Sequence, residues 1–125
     1  MKANDIAKVV VNTAFQIHKK LGPGLLEPVY EEIMEHELKK QNFGVERQKP
    51  IPVHWDDLRM EIGFRADLAI NKLVIIELKS VESIIPVYPK QLLTYLKVTG
   101  LRLGLLINFN EALIKNGITR IVNNH

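Results

Sequence analysis

The chain has 125 residues, of which 46% are hydrophobic and 25% charged, with a formal net charge of +3 at pH 7. These values predict one globular domain, residues 1–125, that is large enough to bury a core. The absence of cysteine excludes disulfides, thiol catalysis, cysteine-ligated zinc and iron–sulfur clusters. No apolar run approaches the ~20 residues of a membrane span, and the first residues lack an apolar signal-peptide core. We therefore expect a cytoplasmic protein without a membrane partner, whose small positive charge permits nucleic acid as a partner without requiring it.

Two helices are predicted in the first 41 residues, separated by Gly22-Pro23-Gly24, which breaks the chain sharply. The first runs from residue 5 to about residue 20 and has an apolar side at helical spacing. His18 is followed by two lysines, so we expect it at a solvated helix end and not as a ligand. The second helix spans about residues 25–41, with Pro28 in the first turn, where proline is tolerated.

The second predicted helix places one carboxylate on its apolar side. At 100° per residue, one arc contains the apolar residues Leu26, Val29, Tyr30, Ile33, Met34 and Leu38. Glu27 falls inside this arc, whereas Glu31 and Glu35 fall outside it, where we expect solvated charges. Glu27 is therefore predicted to point toward the core. The alternative is a first-turn glutamate that is satisfied by the helix dipole and free N–H groups.

The remaining elements are mostly strands. Residues 45–53 form the first, and their two prolines indicate an edge strand or an interrupted one. Residues 59–70 form a long second strand, with Gly63 as a candidate bulge, and residues 73–79 form an apolar third. A helix at 90–99, a strand at 101–109 and a short strand at 117–122 follow. This order predicts an α/β fold, a single domain with a mixed central β-sheet flanked by helices.

The apolar third strand ends in charged residues. Glu77 and Lys79 are two residues apart, so their side chains point to the same face, ~7 Å apart along the strand. Asp67, on the preceding strand, adds a second carboxylate. A buried charge is unfavourable unless it is paired or binds a metal, so these residues are candidates for a site. The alternative is that they only mark the point where the strand emerges into solvent.

The loop between these strands decides whether the two carboxylates share a face. With a two-residue turn at Asn71-Lys72, Asp67 falls opposite Ile76 and points away from Glu77. Asp67 and Glu77 share a face only if the loop has three residues or if a bulge intervenes near Ala69. We therefore predict a three-residue loop or a bulge in this hairpin.

Four separated blocks resemble one protein family. Gly24-Leu25-Leu26-Glu27-Pro28-Val29-Tyr30 matches the signature of the GxxExxY proteins. The segments GFRADLAINKLVIIELKS, QLLTYLKVTG and GLLINF are similar to the same family, in the same order. The resemblance extends from about residue 5 to residue 122 and places the chain near the PD-(D/E)XK nuclease-like superfamily. It implies a restriction-endonuclease-like core: a helix, a three-stranded antiparallel run, a second helix and a further strand.

The resemblance also implies roles for individual residues. Asp67 corresponds to the metal-binding aspartate of the superfamily, and Glu77 and Lys79 correspond to its ExK pair. Glu27 occupies the place of the acidic residue on the first core helix. The implied metal ligands are therefore Asp67, Glu77, Glu27 and the backbone carbonyl of Leu78, and the implied catalytic residues include Asp67, Glu77 and Lys79.

Gln91 and Tyr95 resemble the QxxxY pattern of RecB-type nucleases. By this resemblance Gln91 is a further catalytic residue that orients substrate or water, and both residues contact the substrate. Two positions depart from the superfamily pattern. Ala66 stands where many members have proline before the aspartate, and Tyr88 stands where relatives often have histidine, which leaves the role of that position open.

Together these residues imply a Mg²⁺- or Mn²⁺-dependent enzyme that hydrolyses phosphodiester bonds, with DNA as the expected partner. The alternative is a catalytically inactive nucleic-acid-binding or assembly module with the same fold. The low net charge and the lack of a recognisable DNA-reading element favour that alternative. An enzyme for a different substrate is a third hypothesis, because a shared fold does not fix the substrate. The sequence leaves strand preference, pathway and oligomeric state open, a homodimer included.

Overall fold

A computed structural model describes residues 1–124, and its elements follow the predicted order. They are α1 (Ala3–Leu21), α2 (Glu27–Lys40), β1 (Val45–Trp55), β2 (Leu58–Ile70), β3 (Val74–Lys79), α3 (Val87–Thr99), β4 (Leu103–Asn108) and β5 (Ile118–Val122), with a 3₁₀ turn at Ile114–Gly117 before β5. Within this part of the chain, no helix combines the length and the apolar character that crossing a bilayer requires.

The strands form one five-stranded sheet in the order β1-β2-β3-β4-β5. β3 and β4 are parallel and are connected through α3, whereas the other neighbouring pairs are antiparallel. This arrangement confirms the predicted α/β domain with a mixed sheet. It also places β1 at an edge, as its prolines indicated.

Two apolar cores lie on opposite faces of the sheet. α1 and α2 pack on one face, against alternate residues of β2, β3 and β4 such as Leu68 and Ile76. α3 covers the other face, where Leu92 and Leu96 contact Ile75. Because strand side chains alternate, Glu77 lies on the same face as Ile75, which is the α3 face.

The three-residue loop predicted for the β2–β3 hairpin is confirmed. Ile70 pairs with Val74, and the N–H of Leu73 donates to the carbonyl of Ile70 at 2.9 Å. Asn71 and Lys72 have positive φ angles of 51° and 56°, which the loop requires. The β2–β3 pair farthest from the loop is Leu68 with Ile76. One residue farther from the loop on each strand, Asp67 therefore lies opposite Glu77. The loop thus gives the two carboxylates a common face.

Helix α2 buries the centre of its predicted apolar arc, but the buried face is shifted toward Glu31 and away from Leu26. Its buried residues are Tyr30, Glu31, Met34 and Leu38, whereas Leu26 is 74% exposed. The prediction that Glu31 is solvated is therefore wrong, since this residue is only 5% exposed. Arg47 explains the burial, because its guanidinium Nε lies 3.1 Å from a Glu31 carboxylate oxygen. The buried charge is paired by a residue from β1, which a helical periodicity does not reveal.

His18 also differs from its prediction. It is 8% exposed, and its ring Nε2 lies 2.7 Å from the carbonyl oxygen of Glu111. The residue therefore joins the end of α1 to the segment between β4 and β5 and is not part of a solvated helix end.

Tyr30 anchors the turn that precedes α2. Its hydroxyl donates to the carbonyl of Gly22 at 2.6 Å and accepts the N–H of Leu25 at 3.2 Å. Its ring stacks on Phe109, with centroids 4.4 Å apart. Gly22 and Gly24 have φ angles of 70° and 108°, which side chains rarely adopt. These contacts fix the start of α2, and with it Glu27, relative to the end of β4.

Candidate active site

A cavity of about 240 Å³ lies between the sheet and α3 at the end of β3. Its walls come from β2, β3, β4 and α3: Arg65, Asp67, Glu77, Lys79, Tyr88, Gln91, Leu92, Tyr95 and Leu106. Five of the residues singled out from the sequence thus line one space. β2 and β3 supply the charged groups, and α3 supplies the amide and the aromatic rings.

Asp67 is held by two hydrogen bonds. Its Oδ2 accepts the backbone N–H of Leu78 at 2.8 Å, and its Oδ1 accepts an N–H of the Gln48 side chain at 3.2 Å. The first bond replaces a ladder bond beyond the last β2–β3 pair. The carboxylate therefore has a fixed orientation beside Glu77.

Glu77 is 8% exposed, and its Oε1 has no hydrogen-bond partner. Within residues 1–124, it is the only buried side-chain oxygen or nitrogen without one. Burial, followed by the hydrogen bond and the negative charge of Asp67, raises the pKa of Glu77 to about 9. At neutral pH the pair therefore holds one proton. Two adjacent carboxylates of this kind can both ionise only if a cation joins them.

Lys79 lies half-buried at the mouth of the cavity. Its Nζ is 4.3 Å from the ring centroid of Tyr88, at cation–π distance. In the described part of the chain its ammonium has no carboxylate within ion-pair distance. The charge is thus oriented by an aromatic ring and is free to meet an anion.

Tyr95 and Gln91 lie one turn apart on α3. The Tyr95 ring stacks on Phe64, with centroids 3.8 Å apart. Burial, and then the negative charges of Glu77 and Asp67, raise the pKa of Tyr95, so its hydroxyl stays protonated and can donate a hydrogen bond. Gln91 is exposed at the cavity edge.

Glu27 and Leu78 are near the site but contribute differently. Oε2 of Glu27 lies 3.4 Å from the backbone N–H of Ser80, directly after β3. The side chain of Leu78 is buried in the core under α1 and α2, and only its backbone faces Asp67. Between residues 1 and 124, no three His, Asp or Glu side chains lie close enough to hold a metal ion. The structure thus brings two of the three predicted carboxylates together and leaves metal binding a prediction.

The two carboxylates nevertheless fit a hard divalent cation. Carboxylate and carbonyl oxygens are the ligands that Mg²⁺ and Mn²⁺ prefer. Oε1 of Glu77 is an unsatisfied oxygen beside a second carboxylate, which is where a cation would be most stabilising.

Sequence reasoning missed two residues that contact the site, Arg65 and Gln48. Arg65 precedes Asp67 by two residues on the same strand and lines the same cavity. Gln48 reaches Asp67 from β1, and no pattern in the sequence indicates this contact. The role left open for Tyr88 is filled by its ring, which contacts Lys79.

Comparison with known families supports the same grouping. A sequence profile described as the PD-(D/E)XK nuclease superfamily matches residues 4–121. No curated protein and no solved structure matches the chain. The profile covers nearly the whole chain, and its fold agrees with the mixed sheet and flanking helices described above. The chain therefore belongs to the PD-(D/E)XK nuclease superfamily.

Proposed function

We propose that the protein is a divalent-metal-dependent nuclease of the GxxExxY group, which hydrolyses phosphodiester bonds in DNA. The observation that supports this most strongly is the buried Glu77, with its unpartnered Oε1, beside the half-buried Asp67 and the ammonium of Lys79, which has no carboxylate within ion-pair distance among residues 1–124. A fold without catalysis has no use for this combination, because a buried carboxylate with a raised pKa destabilises the folded state at neutral pH.

Asp67 and Glu77 are the proposed metal ligands, with Glu27 and the carbonyl of Leu78 as further ligands. The N–H of Leu78 already points toward Asp67, and the N–H and C=O of one strand residue point to the same side. Mg²⁺ or Mn²⁺ at this position would neutralise phosphoryl charge and lower the pKa of water. Glu27 would have to give up its long contact with Ser80 to take part.

Lys79, Gln91 and Tyr95 are proposed to act on the substrate. Lys79 would stabilise the negative charge that develops on the phosphoryl oxygens, since Tyr88 orients its ammonium and no carboxylate of residues 1–124 lies within ion-pair distance of it. Gln91 would orient the attacking water or the substrate. The hydroxyl of Tyr95 would donate a hydrogen bond to a phosphate, which its raised pKa allows.

A catalytically inactive nucleic-acid-binding module is the second candidate. It is favoured by the lack, within residues 1–124, of a third acidic or histidine side chain beside Asp67 and Glu77. The net charge of +3 is also small for a protein that follows a DNA backbone.

A cleavage assay separates the two candidates. Single-stranded DNA, duplex DNA and RNA are incubated with the wild type, with and without Mg²⁺ or Mn²⁺. The nuclease proposal predicts cleavage that needs the metal and that Asp67→Asn abolishes, whereas the surface control Lys97→Ala retains it. Binding of DNA without cleavage of any substrate would favour the inactive module.

A further inference from the structure

We propose that Gln48 is a positioning residue, which holds the Asp67 carboxylate in the orientation that its metal ligation requires and connects it to the buried Glu31. The inference rests on the proposed metal site at Asp67. It assigns a role to the edge strand β1, which contributes no residue to the cavity lining.

The side chain of Gln48 bridges two carboxylates. Its Nε2 donates to Oε1 of Glu31 at 2.9 Å and to Oδ1 of Asp67 at 3.2 Å. Both partners are acceptors, so the amide must present its N–H groups to them, and its two hydrogens suffice for both bonds. A neutral amide thus separates the two acids, while Arg47 pairs with Glu31 at 3.1 Å.

The backbone of Gln48 is held in an unfavourable conformation. Its φ is +51°, although it lies inside a strand and is not glycine. Such strain persists where surrounding contacts enforce it, and it is common at functional sites. The adjacent part of β2 is also irregular. Ala66 and Leu68 are two residues apart and would share one face of a regular strand, but Leu68 packs under α1 and α2, whereas Ala66 packs under α3. The distortion therefore occurs at the Asp67 position itself, where β1 and β2 lack a regular pair between Arg47–Leu68 and Lys49–Ala66.

With Gln48 on Oδ1 and Leu78 on Oδ2, Asp67 cannot rotate without losing a bond. Such partners of a metal-binding carboxylate orient it, and their removal commonly lowers metal affinity ~10–100-fold. Gln48→Gly is the sharpest test, because glycine accepts the positive φ and removes the whole side chain, with the amide that bonds Asp67 and Glu31. Asn42→Gly is a matched control, since Asn42 is exposed, has φ +69° and lies at the end of α2.

Two measurements on the full chain decide the proposal. The first is the hydrogen exchange rate of the Leu78 amide without metal, by NMR. Gln48→Gly should exchange about fivefold faster than wild type, as expected when one hydrogen bond weakens, and Asn42→Gly should not. The second is Mn²⁺ affinity by calorimetry, which should fall ~10-fold or more in Gln48→Gly.

Each result has a defined meaning. Unchanged Leu78 exchange in Gln48→Gly overturns the positioning role, whatever the metal does. Faster exchange with unchanged Mn²⁺ affinity overturns the link to the metal site. If the wild type binds no Mn²⁺, the proposed function fails, and the Leu78 exchange still decides whether Gln48 orients Asp67. A lower melting temperature with unchanged exchange and affinity would show a purely structural residue.

Discussion

Replacing Glu77 by glutamine should stabilise the metal-free protein, and the gain should grow with pH. The pKa of Glu77 rises from about 4.5 to about 9 on folding, because of burial and the adjacent Asp67. A carboxyl group with a raised pKa contributes most below its unfolded value, and stability is lost as pH rises toward the folded value. The groups that face Glu77 are Asp67, Lys79 and Tyr95, and glutamine can replace the protonated acid as a donor to Asp67.

The size of the effect follows from the pKa difference. At pH 7 the unfolded carboxyl lies about 2.5 pH units above its pKa, so keeping Glu77 protonated costs the folded state about 3 kcal/mol. The cost vanishes near pH 4.5 and approaches about 6 kcal/mol by pH 9. Glu77→Gln does not have this cost. Its stability should therefore equal that of the wild type at pH 4.5 and exceed it by about 3 kcal/mol at pH 7.

Urea denaturation in EDTA, followed by circular dichroism from pH 4.5 to pH 8.5, measures this difference directly. Glu82→Gln, in the exposed loop after β3, controls for the loss of a surface carboxylate. With saturating Mn²⁺ the order should reverse, because a cation bound by the ionised Glu77 stabilises only the wild type. A difference between wild type and Glu77→Gln that does not change with pH would show that the pKa of Glu77 is not raised in the folded protein.

Three further substitutions test separate parts of the account. Lys79→Ala should lower the turnover of DNA cleavage ~10²–10³-fold with an unchanged melting temperature, whereas Lys97→Ala should keep the wild-type turnover. If Lys79→Ala also keeps the wild-type turnover, Lys79 is a surface residue without a catalytic role. Tyr30→Phe should destabilise the fold by about 1–2 kcal/mol in urea, because it leaves the Gly22 carbonyl and the Leu25 N–H without their partner; an unchanged midpoint would contradict this. Glu31→Ala should lower the free energy of unfolding by about 3–5 kcal/mol in the same assay, since it leaves Arg47 and Gln48 without their buried acceptor. Replacing the exposed Glu32 by alanine should change the free energy of unfolding little.

Periodicity and turn chemistry predicted the fold and the β2–β3 hairpin because those features are local. The three-residue loop followed from counting residues between Asp67 and Glu77, and the edge position of β1 followed from its prolines. The errors arose where distant residues pair. Glu31 is buried because Arg47 and Gln48 donate hydrogen bonds to its carboxylate from β1. His18 is buried because its ring forms a hydrogen bond with the backbone carbonyl of Glu111. None of these three partners lies within a helical turn of the residue that it contacts.

For the site, strand spacing indicated Asp67, Glu77 and Lys79, and the resemblance added Gln91 and Tyr95. Asp67, Glu77, Lys79, Gln91 and Tyr95 line one cavity, as a shared motif leads one to expect. Glu27 was predicted to approach Glu77 but contacts the backbone of Ser80, and its part in metal binding stays a prediction. Gln48 could not be predicted at all, because its contact depends on a distorted backbone inside β1.

Calorimetric titration of the metal-free wild type with Mn²⁺ tests the central claim most directly. We expect binding at or below millimolar metal, with loss of binding in Asp67→Asn and Glu77→Gln. Because Glu77 is protonated in the free protein at pH 7, binding should release about one proton, which buffers of different ionisation enthalpy will detect. A wild type that binds no Mn²⁺ at millimolar concentration would contradict the metal-dependent nuclease.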